Sequence, residues 1–108
     1  MTLDNVTVYD NESTMGSGGI FSLWGDYYMA RFDIRNTIIA GNTAGGAPSD
    51  CGGVIISRGF NLIQTLDGCA IDDNTNNIIG MDPHLAPLAD NGGSTSTHQL
   101  LDYSPAID

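Results

Sequence analysis

Lysine is absent from this chain, and Arg31, Arg35 and Arg58 are set against 13 Asp and Glu residues, a formal net charge of -10 over 108 residues. Such a surface repels polyanions, which excludes nucleic acid as a partner. The same field favours calcium, basic proteins or neutral glycans, and it also serves simply to keep the chain in solution. Long apolar runs are missing too. No stretch approaches the roughly 20 residues that a membrane-crossing helix needs, and the N-terminus has no basic segment followed by an apolar one. The sequence therefore predicts neither a spanning helix nor an export leader. Residues 2 to 9, "TLDNVTVY", already read as strand, so the chain is expected to begin inside a regular structure. Helical periodicity is missing as well: no window of a dozen residues keeps apolar positions at helical spacing, and 14 glycines with four prolines leave little room for a helix.

Cysteine is scarce. Cys51 and Cys69 can pair in one way only, and a bridge between them would contribute about 3 kcal/mol by restricting the unfolded chain. A bridge implies an oxidising compartment. The alternative is two buried thiols in a reducing one, and two thiols alone do not make a metal site.

Turn residues and short β-branched runs are what the chain does contain. Between Gly16, Gly18-Gly19, Gly25, Gly41-Asn42, Gly45-Gly46, Gly52-Gly53, Gly68, Gly80 and Asn91-Gly92-Gly93 lie "VTVY" at 6 to 9, "GIFSL" at 19 to 23, "RFDI" at 31 to 34, "TIIA" at 37 to 40, "GVII" at 53 to 56, "FNLI" at 60 to 63 and "NIIG" at 77 to 80. These predict an all-β chain of seven or eight strands, with few two-residue hairpins. "NVTVYDNEST" at 5 to 14 is echoed by "NTIIAGNTAG" at 36 to 45, so Asn5 corresponds to Asn36 and Asn11 to Asn42. A repeat of this length suggests a parallel β-helix in which equivalent strands stack and equivalent asparagines bond amide to amide. Alternation then turns Val6, Val8, Thr37 and Ile39 inward and Thr7, Tyr9, Ile38 and Ala40 outward. Further Asn-led runs begin at Asn61 and Asn77. The longest interval holds "WGDYYM" at 24 to 29, read as an insertion projecting from one corner.

From residue 36 onward the sequence resembles the C-terminal region of choice-of-anchor Q domain proteins, which are bacterial surface or secreted proteins with a right-handed parallel β-helix. The resemblance is carried by "NTIIAGNTAG", "DCGG" at 50 to 53, "SRGFNLI" at 57 to 63, Cys69, Asp82-Pro83, Pro87-Leu88, Asp90-Asn91-Gly92-Gly93, Thr97-His98 and "SPAID" at 104 to 108. Ser94 departs from it, standing where proline is usual. The resemblance implies three or four coils over residues 1–80, a capping segment over 81–108, an exported setting and a Cys51–Cys69 bridge. It implies no reaction.

Among candidate functional residues, Asp82, His84, Asp90 and His98 have the chemistry of a metal or acid-base site, or of turn caps in an extended segment. Asp90 and His98 are expected to tie the terminal segment to the last coil, and His84 to be exposed. Asp72, Asn74 and Asn76 alternate like the start of a calcium loop, but Asn77 replaces its glycine and no Glu follows, leaving a looser oxygen site or a polar loop. Trp24, Tyr27 and Tyr28 form an aromatic cluster suited to stacking on sugars, to capping or to a subunit contact. Asp33 and Arg35 alternate on one strand face as a surface ion pair. Exposed strand edges call for a cap or a homodimer. The expected protein is thus a non-catalytic structural or adhesive module contacting glycans or a protein, without a required cofactor. The alternatives are a polysaccharide lyase or hydrolase working through clustered carboxylates, or a detached fragment with another binding role.

Overall fold

In the computed structural model, which describes residues 1–22 and 31–107, the chain is all-β and contains no helix among the described residues. The described residues form twelve short strands: β1 Thr2–Asp4, β2 Thr7–Tyr9, β3 Glu12–Ser13, β4 Ile20–Phe21, β5 Arg31–Arg35, β6 Ile38–Ala40, β7 Thr43–Ala44, β8 Ala47–Pro48, β9 Cys51–Ser57, β10 Leu62–Ile63, β11 Cys69–Ile71 and β12 Ile78–Ile79. One sheet runs β1-β5-β9-β11 with β4 also on β9, a second runs β12-β10-β6-β2, and the third is β3-β7-β8. Every pairing is parallel except β7 with β8.

The register shows how the chain returns on itself. Thr2 pairs with Asp33, Thr7 with Ile38 and Glu12 with Thr43, all at one and the same separation in sequence, so the three sheets advance in step. The next return is shorter and no longer uniform: the step from Ile38 to its partner Leu62 is longer by a single position than the step from Phe32 to its partner Ile55. The extra residue is Gly59, whose φ of 93° belongs to the left-handed region that favours glycine. The last return is shorter again and uniform, from Gly53 to Cys69 and from Leu62 to Ile78. On the first sheet, Phe21 pairs with Gly52 and Arg31 with Val54, so nearby positions on β9 are matched to well-separated ones on β4 and β5. The insertion expected at 24 to 29 lies outside the described residues.

The core is a set of aliphatic stacks created by this register. Val8, Ile39, Ile63 and Ile79 occupy one column, Phe32, Ile55 and Ile71 another, and Leu3 lies against Ile34. Ile34, Ile39, Ile55 and Ile63 are fully buried, each worth about 1.5–3 kcal/mol of burial. The β-branched side chains suit these columns because most lie over the same shape on the next strand. Thr37 and Ile39 face inward as the alternation predicts; Ala40, expected outward, is buried as well. Cys51 and Cys69 are joined with a Cα–Cα distance of 5.6 Å across β9 and β11. Tight approaches fix two glycines: a Cβ on Gly19 would lie 2.1 Å from the Asp50 carbonyl oxygen, and one on Gly53, at φ 93°, 1.9 Å from Ser22 Oγ.

Two features depart from the sequence reading. Ala44-Gly45-Gly46-Ala47 is a two-residue hairpin with both glycines at positive φ, the geometry that matches strand twist. Residues 84–101 form an antiparallel ribbon, with bridges from Leu85 to Leu100 and from Ala89 to Thr97. Ser104 Oγ donates to the carbonyl of buried Pro83 and pins the end of the ribbon to its start.

Candidate functional site

Two buried polar corners bound the second sheet. At the leading corner, Asn61 Oδ1 accepts from Thr37 N at 3.0 Å, while its Nδ2 donates to the Ile34 carbonyl, to Ser57 Oγ and to Asn77 Oδ1. Asn77 Oδ1 accepts in turn from Asn61 N at 3.1 Å. At the trailing corner, Asn42 Oδ1 accepts from both Asn11 N and Asn11 Nδ2, and Asn42 Nδ2 donates to the Val8 carbonyl and to Asp50 Oδ1. Asp50, 1% exposed, also accepts from Asn42 N on Oδ1 and from Thr65 N at 2.9 Å on Oδ2. No buried side-chain nitrogen or oxygen among the described residues lacks a partner.

The expected Asn11–Asn42 bond is therefore present, whereas Asn5 and Asn36 serve differently. They share a register column with Phe60 and Asn76, each lying two residues before the paired positions Thr7, Ile38, Leu62 and Ile78. All four are left-handed, with φ of 58°, 50°, 61° and 61° respectively. Asparagine tolerates that conformation. Aligning Asn61 with Asn36 is thus one residue out, because the register sets Asn61 beside Thr37, and the amide ladder sits at Asn61 and Asn77.

Phe60 is the exception in its column. A bulky aromatic residue at positive φ carries about 1–2 kcal/mol of backbone cost, yet its side chain is left largely in water, the residue being 68% exposed. It stands at the lip of a groove of about 250 Å³ on the outer face of the second sheet. The floor is Ile38, Leu62 and Ile78, which are register partners, and the far wall is Leu100, Pro105 and Ala106 from the terminal segment. Asn36 and Asn76 flank the ring, and among the described residues no lining residue is ionisable. A wider groove of about 430 Å³ lies at the other end of the ribbon, between Tyr9, Asp10, His98 and residues 85–88.

The motif residues of the terminal segment act locally. Asp82 Oδ1 accepts from His84 N at 2.8 Å, and Asp90 Oδ1 from Gly92 N at 3.1 Å. Asn91 Nδ2 reaches the Ala89 carbonyl, the Thr97 carbonyl and Thr97 Oγ1, closing the ribbon above Gly92 and Gly93. His98 Nδ1 bonds the Ala86 carbonyl at 2.9 Å, and its ring meets Tyr9 edge-on at 4.9 Å. Asp90 and His98 thus bond within the ribbon, and His98 rests on β2, the sheet's far edge, instead of on the last strand. His84 is half-buried, edge-on to Tyr103. Among the described residues no three His, Cys, Asp or Glu side chains are gathered as a metal site would need. In the 72–76 loop, Asp72 Oδ1 accepts from Ser57 N at 2.7 Å, Asn76 lies in the positive-φ column and Asn74 offers its carbonyl to Asn77 N. Trp24, Tyr27 and Tyr28 lie outside the described residues.

Charge is arranged across strands. Arg35 pairs with Asp4, and Arg58 reaches Asp33 at 3.5 Å, so Asp33 and Arg35 each find a partner elsewhere in the chain and not in one another. The Arg35 hydrogen bond, reinforced by its charge, holds the Asp4 carboxyl below the usual carboxylate range. The Thr75 hydroxyl, then its amide, does the same for Asp73.

No protein-family model, curated protein or solved structure gives a significant match to this chain. Among the described residues no helix is long and apolar enough to cross a membrane.

Proposed function

We propose that this chain is a non-catalytic structural and adhesive module of a secreted or surface protein, its sheets being the faces of a short right-handed parallel β-helix like that of the choice-of-anchor Q domain proteins it resembles. The equal sequence step of β1 to β5, β2 to β6 and β3 to β7 supports the helix, since one turn of such a fold advances every face together. The Cys51–Cys69 bridge supports an oxidising, exported setting. A non-catalytic role rests on one observation above all: the polar side chains that the sequence singles out are occupied in holding backbone. Asp50, Asn42, Asn61, Asp82, Asp90, Asn91 and His98 each bond a neighbouring main-chain group. Self-association through the unpaired edges of β1, β2 and β3 belongs to the same reading.

The test is a panel of insoluble and soluble polysaccharides incubated with the purified chain. Retained protein and newly released reducing ends are scored in the same wells. Retention without release is expected; release that scales with protein concentration would replace the adhesive reading with an enzymatic one.

A further inference from the structure

We infer that the groove beside Phe60 is a binding site for one ring of a neutral pyranose glycan, with Phe60 as its stacking platform. The inference rests on the adhesive reading above and gives it a place and a ligand class.

Three observations converge. The first is the anomaly at Phe60. Three of the four residues in its column are asparagine, which accepts the left-handed backbone; here the column holds a phenyl ring in that conformation and leaves it 68% exposed. Neither the backbone nor the exposed ring gains from this in the unliganded molecule, and such outliers gather at ligand sites. The second is the pair of amides. Asn36 and Asn76 sit one strand away on either side of Phe60, at a spacing of roughly 4.8 Å per strand. Each amide carries N–H donors and a carbonyl acceptor, Asn36 also bonding the Asp4 carboxylate, and these match hydroxyls at the rim of a ring whose C–H face lies on the electron-rich face of Phe60. The third is charge and size. A chain of net charge -10 surrounds a groove lined, among the described residues, by no ionisable group. Its volume, about 250 Å³, falls just under the roughly 300–1,000 Å³ that hold drug-sized molecules, so it admits one ring and leaves the rest of a glycan along the sheet. A uronate or sulfated sugar would meet the acidic surface instead of a cation.

The experiment titrates the isotopically labelled full chain with neutral tetrasaccharides of glucose, galactose, mannose and N-acetylglucosamine, and with tetragalacturonate as the charged counterpart. Amide shifts are followed at 50 and 500 mM salt. At least one neutral tetrasaccharide should saturate shifts at Asn36, Phe60, Asn76 and Leu100, with a Kd that changes less than twofold between the two salts; tetragalacturonate should not. Phe60→Asn, which suits the backbone and keeps the fold, should weaken binding at least tenfold, while Phe60→Tyr should retain it. The inference is overturned if no neutral tetrasaccharide saturates these shifts, or if Phe60→Asn binds as well as the parent. It is equally overturned if sedimentation shows a dimer that Phe60→Asn splits while sugars leave the groove untouched, because a second copy is then the occupant. Release of reducing ends from a bound sugar would sink the non-catalytic reading and leave the site standing.

Discussion

The two polar corners of the second sheet do the same mechanical task with different chemistry. The leading corner uses amides and a hydroxyl, Asn61, Asn77 and Ser57, which both donate and accept. The trailing corner adds the buried carboxylate of Asp50, which only accepts and serves three N–H groups at once. An amide can be lost with part of its network re-satisfied by a neighbour or by water. A carboxylate that gathers donors from two different segments has no such substitute. The comparison teaches that burial of polar groups is tolerated here wherever donors and acceptors balance, and that the trailing corner balances them with less redundancy.

The largest effect should come from breaking the trailing corner. Asp50→Ala leaves Asn42 N and Thr65 N without their acceptor in a buried site, and should lower stability by about 3–5 kcal/mol. Urea titration reads this directly, and a loss under about 1 kcal/mol would show that the two corners are equivalent after all. Asn61→Ala, the matching change at the leading corner, should cost about 2–3 kcal/mol, less than Asp50→Ala by the same measurement. A smaller effect of opposite sign sharpens the contrast: Phe60→Asn, next to the leading corner, relieves the left-handed aromatic and should stabilise by about 1 kcal/mol. The smallest concerns the exposed Asp4–Arg35 pair outside both corners. Its carboxyl has a lowered folded-state pKa, so its contribution is complete above the unfolded value of about 3.9 and is lost as pH falls through the folded value. Asp4→Asn should therefore melt slightly lower than the parent at pH 7, and the gap should narrow as the pH falls below the unfolded value; a gap that does not change in acid would assign the effect to something other than this charge.

Much of this architecture is legible in the sequence, and the failures are local. The β-rich runs are legible from residue types, the Asn11–Asn42 bond from the repeat, and the bridged cysteines from the pairing that the family resemblance implies. β3, β7, β8 and β11 are two or three residues each, too short to display alternation. Gly59 lengthens the step of the second sheet by one residue over that of the first, and nothing about a lone glycine announces an insertion. Phe60 is harder still. Its residue type argues against the left-handed conformation, so the groove it borders is invisible until the column of four positive φ values is seen. Burial of Ala40, predicted outward, is likewise a tertiary matter: Tyr9, its register partner, meets His98 of the ribbon laid over that end of the sheet.

The shrinking register step gives the molecule a direction in time. The return that pairs β2 with β6 is about twice as long as the one that pairs β10 with β12, and closing the shorter one costs about 0.6 kcal/mol less chain entropy. Pairing is therefore expected to nucleate at the C-terminal strands and travel backwards, so that pulse-labelled hydrogen exchange should protect Ile78 before Ile38. On the ribosome the order of emergence is the reverse. The first strands to leave the tunnel, β1, β2 and β3, would wait until the strands that nucleate pairing have followed them out.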